Sequence, residues 1–317
     1  ERSRGLGDVY KRQMLRGGQM RLTKQCTRLA VIFLAVIFAL PSHETWAEDK
    51  VITVSVSILP QAFFVEKIGG RYVHPLVMVP PGTSPATYEP KPRQLARLSQ
   101  CAIYFAQGLP FESAWLPRFR KSNPIMRVVP CYRGVERIPV ASSLSTPDRR
   151  GHHNIHLDPH IWLSPPLTIV EVRNILEALL KQDPSREEFY KGNYRRFVGE
   201  IVDLDLKIRD LFKGVGTRNS FLVYHPAWGY FAKTYGLRQL AVEREGKKPL
   251  AHDLKQFITL AKEKGFTELF IQPQISSHSA RVIANSIGAR LVILDPLARQ
   301  WDKNLLHAAQ KIRKALR

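Results

Sequence analysis

Three side chains able to hold a metal stand where one structural pattern gives way to another. The apolar run Phe221–Tyr224 leads directly into His225, and Leu291–Leu294 leads directly into Asp295-Pro296. His160 sits in Leu157-Asp158-Pro159-His160-Ile161-Trp162-Leu163, just ahead of a long helical pattern. Ligands of open α/β sheets bind beyond the carboxyl ends of the strands, so residues at such junctions can meet in one cleft. Imidazole nitrogen and carboxylate oxygen together suit Zn2+. Each residue also has an ordinary use. A histidine ahead of a helix can cap it, and an aspartate before proline is a common turn former. His152, His153 and His156 lie in the polar, irregular stretch between Cys131 and Leu157, which reads either as a metal-capturing loop or as a solvated surface. His74, His252, His278 and His307 fall inside strand or helix patterns and read as structural.

The elements that must position these groups alternate along the chain. Short apolar runs at Val51–Ile58, Tyr72–Val79, Ala102–Ala106 and Ile125–Val129 predict four strands, with helical patterns between them. After an interruption come Phe221–Tyr224, Gln239–Val242, Glu268–Ile271 and Leu291–Leu294, again separated by helical patterns such as Ala251–Lys264 and Ser279–Ile287. Such alternation predicts an α/β fold of two lobes, each with a four-stranded, largely parallel sheet flanked by helices. The interruption holds one helical pattern over Pro166–Lys181 and a second from about Ser185 to Phe212. Leu204, Ile208, Leu211 and Phe212 recur at helical spacing on the second pattern, which as one helix would span roughly 40 Å and join the lobes. The alternative is two shorter helices within one domain.

Composition narrows the function class. With 317 residues, 44% hydrophobic and 24% charged, the chain has enough apolar material for two folded units. Met20 opens a basic segment, followed by the apolar run Leu29–Leu40 and Thr45-Trp46-Ala47, which predicts a secretory signal peptide over 20–47. Residues 1–19 carry no targeting logic and read as an extension foreign to the protein. The mature part therefore begins near Glu48 and is expected in the periplasm as a soluble monomer. The formal charge is +21, of which residues 1–47 supply +5 and the rest +16. The basic residues are scattered, with no basic helix or aromatic-interleaved patch, so nucleic acid is not the expected partner. Cys101 opens one predicted strand and Cys131 closes the next; in parallel strands that separates the thiols beyond disulfide reach.

Taken together and in order, several segments resemble one family. They are Val79-Pro80-Pro81-Gly82 with Tyr88-Glu89-Pro90, Leu157–Leu163, Val223-Tyr224-His225-Pro226-Ala227-Trp228-Gly229-Tyr230-Phe231, Glu245–Pro249, Gln272–Ser277 and Leu294-Asp295-Pro296-Leu297. The chain is similar, over essentially all of its mature length, to the zinc/manganese-type solute-binding proteins of ABC importers. The resemblance implies an N-terminal lobe over 48–183, a linking helix over 184–214 and a C-terminal lobe over 215–317, with metal held between the lobes. It implies His160 from the first lobe and His225 and Asp295 from the second as ligands. Many relatives carry a further histidine just before Tyr-Glu-Pro, where this chain has Ala86. A fourth ligand would then be water, Glu89, or one of His152, His153 and His156. Manganese-preferring relatives tend to place a carboxylate at the position of His225, so imidazole there favours zinc over Mn2+.

The expected function is capture of a divalent transition metal, zinc foremost, and its delivery to an ABC-importer permease, without chemical turnover. A receptor for a metal chelate or small organic solute is the alternative that Ala86 keeps open. A zinc hydrolase would also use three ligands and an open position. It is disfavoured because the chain has no His-Glu-x-x-His helix and no Gly-x-Ser-x-Gly elbow.

Overall fold

The computed structural model describes residues 51–140, 157–243, 250–275 and 277–316. The extension 1–19, the signal segment 20–47, Glu245–Pro249 and the histidines at 152, 153 and 156 lie outside the described residues.

Eight strands form two four-stranded sheets of the same design. Strands β1 (Ile52–Val56), β2 (Val73–Val77), β3 (Ile103–Ala106) and β4 (Arg127–Pro130) pair in the order β2-β1-β3-β4. Strands β5 (Ser220–Val223), β6 (Arg238–Ala241), β7 (Glu268–Ile271) and β8 (Arg290–Ile293) repeat it as β6-β5-β7-β8. All pairings are parallel, with Val54 opposite Ile103 and Leu222 opposite Leu269. Central strands covered on both faces read as unbroken apolar runs, as in the fully buried Ile-Tyr-Phe-Ala of β3. In each sheet the strand order reverses beside the first strand, between β1 and β3 and between β5 and β7. Chain leaving the carboxyl ends at such a reversal opens a crevice.

Helices α1 (Leu59–Gly69), α2 (Pro92–Leu98) and α3 (Pro110–Ser122) connect the first sheet, and α4 (Pro165–Gln182) follows it. The second predicted helical pattern is one helix, α5 (Glu187–Phe212), of 26 residues and about 39 Å. A 3-10 turn, Pro184–Arg186, precedes it where Pro184 interrupts the chain. Tyr190, Asn193, Phe197, Ile201, Leu204, Ile208 and Phe212 form its buried stripe at three- and four-residue spacing. That stripe packs on α1 and α4 and on the C-terminal helix α9 (Trp301–Ala315), so α5 touches elements of both lobes. The second lobe also contains α6 (Gly229–Thr234), α7 (Ala251–Glu263) and α8 (Ser277–Ile287).

Alternation along the second sheet splits the interior. Phe221, Val223 and Phe270 face a core continuous with the first lobe and α5, while Leu222, Tyr224, Leu269 and Ile271 face a separate core with Phe257, Ala261 and Ile283. Cys101 precedes β3 and Cys131 follows β4; both are buried free thiols. Among the described residues no helix is long and apolar enough to cross a membrane.

Candidate metal-binding site

His160 owes its setting to the residue two before it. Asp158 is fully buried, and its Oδ1 accepts the His160 backbone N–H at 2.9 Å and pairs with His160 Nδ1 at 2.7 Å. A carboxylate on Nδ1 places the proton of the neutral ring there and leaves the Nε2 lone pair for a metal. Burial lowers the pKa of His160 against the opposing pull of Asp158, so the imidazole is neutral at pH 7.

His225 repeats this arrangement from different elements. It follows β5, and its Nδ1 pairs at 2.7 Å with Oε2 of Glu243, which follows the adjacent strand β6. The Glu243 N–H donates to Tyr224 O at 2.8 Å, extending the ladder and holding the glutamate beside the histidine. The two imidazoles meet edge to face, with ring centroids 5.4 Å apart. Thus the structure brings His160 of the first lobe against His225 of the second.

Helix α6 locks the two segments together. At Gly229 a Cβ would lie 2.7 Å from Asp158 Oδ2, so only glycine permits this approach. The Tyr230 hydroxyl accepts from the Ile138 N–H at 3.0 Å and donates to Asp158 O at 3.2 Å. Ser164 Oγ and Thr234 Oγ1 are 2.8 Å apart. On the other flank, Arg137 donates to Leu157 O at 3.0 Å and Asp158 O at 3.3 Å, beside the Pro139–Leu157 bridge.

Asp295 is held differently. Its Oδ1 accepts from the Leu297 N–H at 2.9 Å and from Gln274 Nε2 at 3.1 Å. It lines a cavity of ≈ 60 Å³ between the carboxyl ends of the two sheets, with Ile58, Pro80 and Gly82 from the first lobe and Gln274 from the second. Gln274 Oε1 is buried there with no partner among the described residues. Among the described residues no three His, Cys, Asp or Glu side chains lie close enough together to hold a metal. Asp295 is therefore not drawn into one cluster with the histidine pair. Glu89 and Ala86 are both exposed on their loop, and Glu89 joins no such cluster. His74, His252, His278 and His307 sit exposed on strand and helix surfaces.

Sequence reasoning missed the supporting groups Asp158, Glu243, Gln274 and Gly229. Asp158 was signalled by its place two residues before His160. Glu243 carried no local signal, because only the pairing of β5 with β6 sets it beside His225.

With this geometry in hand, comparison with known proteins is informative. Residues 54–315 match the family model described as ZnuA, zinc-uptake complex component A, periplasmic. The chain is 30% identical over 239 residues to the high-affinity zinc uptake system protein ZnuA of Bacillus subtilis, covering 72% of this chain and 74% of that protein. It is 28% identical over 276 residues to a putative metal-binding protein of Treponema pallidum, covering 82% and 84% respectively. A crystal structure of ZnuA matches with a TM-score of 0.77 at 38% identity, covering 84% of this chain and 100% of that one. A zinc-bound ZnuA deletion mutant matches equally, with a TM-score of 0.77 and 98% of its chain covered. The chain belongs to the ZnuA family of periplasmic zinc-uptake components, which are solute-binding proteins for metal transport and not enzymes.

Proposed function

We propose that this chain binds zinc between its lobes through His160 Nε2 and His225 Nε2, with Asp295 supplying an oxygen, and passes it to the membrane permease of an ABC importer. The observation that carries this reading is the facing pair of imidazoles, each with Nδ1 committed to a carboxylate. Nitrogen donors held by outer-sphere carboxylates are the arrangement zinc sites use. Zinc here is cargo, so the site needs reversible binding and no activated water. The lobes are taken as 48–183 and 215–317, with 184–214 between them, and the protein acts in the periplasm as a monomer after removal of 20–47. Glu89, His152, His153 and His156 remain the protein groups from which a further ligand would come. Two features support zinc in particular: imidazole at 225, and a family whose named members take up zinc.

The test is a competitive titration of the metal-free protein with zinc and manganese, beside His225→Ala. Tight, zinc-preferring binding that the variant loses is the expected result. A folded protein that binds neither metal would contradict the proposal and favour a chelate or an organic solute as cargo.

A further inference from the structure

Two fully sheltered tryptophans join the histidine part of the cleft to its aspartate part. Trp162, two residues past His160, is 0% exposed, and Trp301, at the start of α9, is 2% exposed. A buried indole N–H needs an acceptor, and both of these find one on a distant segment. Trp162 Nε1 donates at 2.7 Å to O of Pro296, the residue after Asp295. Trp301 Nε1 donates at 2.7 Å to O of Trp162 itself. Asn304, within the same first turn of α9, donates from Nδ2 to Asp295 O at 2.7 Å.

The surroundings make this linkage stiff. The Trp301 ring stands edge to face against Phe64 of α1, with centroids 5.2 Å apart, and against Phe197 of α5 at 6.5 Å. At the surface, Arg299 Nη2 meets Glu66 Oε1 of α1 at 2.6 Å. The first lobe and the long helix therefore both hold an indole that belongs to the second lobe.

We propose that Trp162 and Trp301 are positioning residues whose paired indole–carbonyl bonds set the span between the Asp295 turn and the His160 loop, and thereby the affinity of the cleft for its metal. This inference rests on the metal-site reading above. Neither indole touches the metal; both act through the backbone beside a ligand. Removing the Trp162 N–H leaves Pro296 O without its indole donor, and removing the Trp301 N–H leaves Trp162 O only the Thr168 hydroxyl at 3.2 Å; either change lets the aspartate turn shift relative to the histidines. Supporting groups of this kind are typically worth 10–100-fold in metal affinity.

The test compares wild type, Trp162→Phe, Trp301→Phe and Asn304→Ala, with Phe257→Leu as a control that opens a comparable defect in the separate core of the second lobe. Each is titrated with zinc, loaded with Co2+ for its d–d absorption spectrum, and melted without metal. The tryptophan variants should bind zinc about tenfold more weakly and show altered Co2+ bands, while Phe257→Leu melts earlier with affinity and spectrum unchanged. Should either tryptophan variant fail to fold, Asn304→Ala reads the same linkage with a smaller perturbation. Unchanged affinity and spectrum in the folded linkage variants would overturn the inference, as would an equal loss of affinity in Phe257→Leu. A wild-type chain that binds no zinc, or a His225→Ala variant that binds it normally, would overturn the metal-site reading and this inference together. Wild-type binding lost in His225→Ala but kept in the tryptophan variants would remove this inference alone.

Discussion

Around His160 and His225, each Nδ1 is matched to a carboxylate, and the two supporting segments interlock through Gly229, Tyr230 and Thr234. Around Asp295 the carboxylate is matched to Gln274 and Leu297 of its own lobe, and the carbonyl of its backbone neighbour, Pro296, accepts from Trp162 of the first lobe. His160 and His225 are thus brought together across the lobes. Among the described residues Asp295 forms no metal-holding cluster with them. In the proposed site the two fixed nitrogens would supply most of the binding energy, with Asp295 adjusting to complete it. Preorganised donors cost little to order on binding, whereas Asp295 Oδ1 already accepts from Gln274 and Leu297.

The comparison is broken most directly by removing one nitrogen. His160→Ala or His225→Ala should weaken zinc binding by at least about a hundredfold, more than Asp295→Asn does, as read by competition with a chromophoric chelator. Equal losses in all three would mean that the halves do not differ. The next effect is an outer-sphere one. Glu243→Gln should cost about tenfold in zinc affinity with little change in melting, since the amide still fills the space but no longer fixes the proton on Nδ1. Gly229→Ala should follow, because its Cβ must displace Asp158 Oδ2. Overpacking there should cost about 1–3 kcal/mol and weaken zinc binding through His160. Gly192→Ala, in an open part of α5, should instead stabilise the fold by about 0.8–1 kcal/mol without touching affinity.

The smallest expected effect on the cleft comes from a carboxyl deep in the first lobe. Glu171 of α4 is buried beside Gln107, whose amide donates to its Oε1, and burial pushes its pKa up to about 8. Its folded pKa lies above the unfolded value, so the folded state holds a proton that the unfolded chain releases. Its stabilising contribution is therefore complete below the unfolded carboxylate pKa of about 4.3 and is lost as pH rises towards about 8. Glu171→Gln should flatten that fall, melting higher than wild type at pH 8 and no higher at pH 4. Zinc affinity measured at fixed pH should stay the same, because Glu171 belongs to neither half of the cleft.

Much of this architecture was legible in the sequence, for physical reasons that also mark where legibility stops. Central parallel strands covered on both faces leave unbroken apolar runs, as in β3 and β7, and shorter, largely apolar runs mark the edge strands, so the eight strands of the described residues were located, Glu268–Ile271 to the residue. Leu204, Ile208, Leu211 and Phe212 at helical spacing pointed to one long helix from about Ser185, whereas α5 begins at Glu187 after the Pro184–Arg186 3-10 turn, which periodicity does not distinguish. The two histidines were legible because each stands at a junction between elements, and their meeting follows from the fold. What stayed hidden is what depends on strand neighbours and lobe contacts. Glu243 reaches His225 only across the β5–β6 pairing, Gly229 matters only because Asp158 lies against it, and the tryptophan linkage spans more than 130 residues. Asp295 is read as a partner of the histidines from its motif; the acceptance of the Gln274 amide by its Oδ1 carried no sequence signal.

The most direct test of the account is anomalous diffraction at the zinc edge from crystals of the zinc-loaded protein. The account predicts one peak between the lobes at about 2.0–2.1 Å from Nε2 of His160 and of His225, with an Asp295 oxygen at about 2.0–2.2 Å. A zinc peak away from the histidine pair, or one bound through either Nδ1, would contradict it.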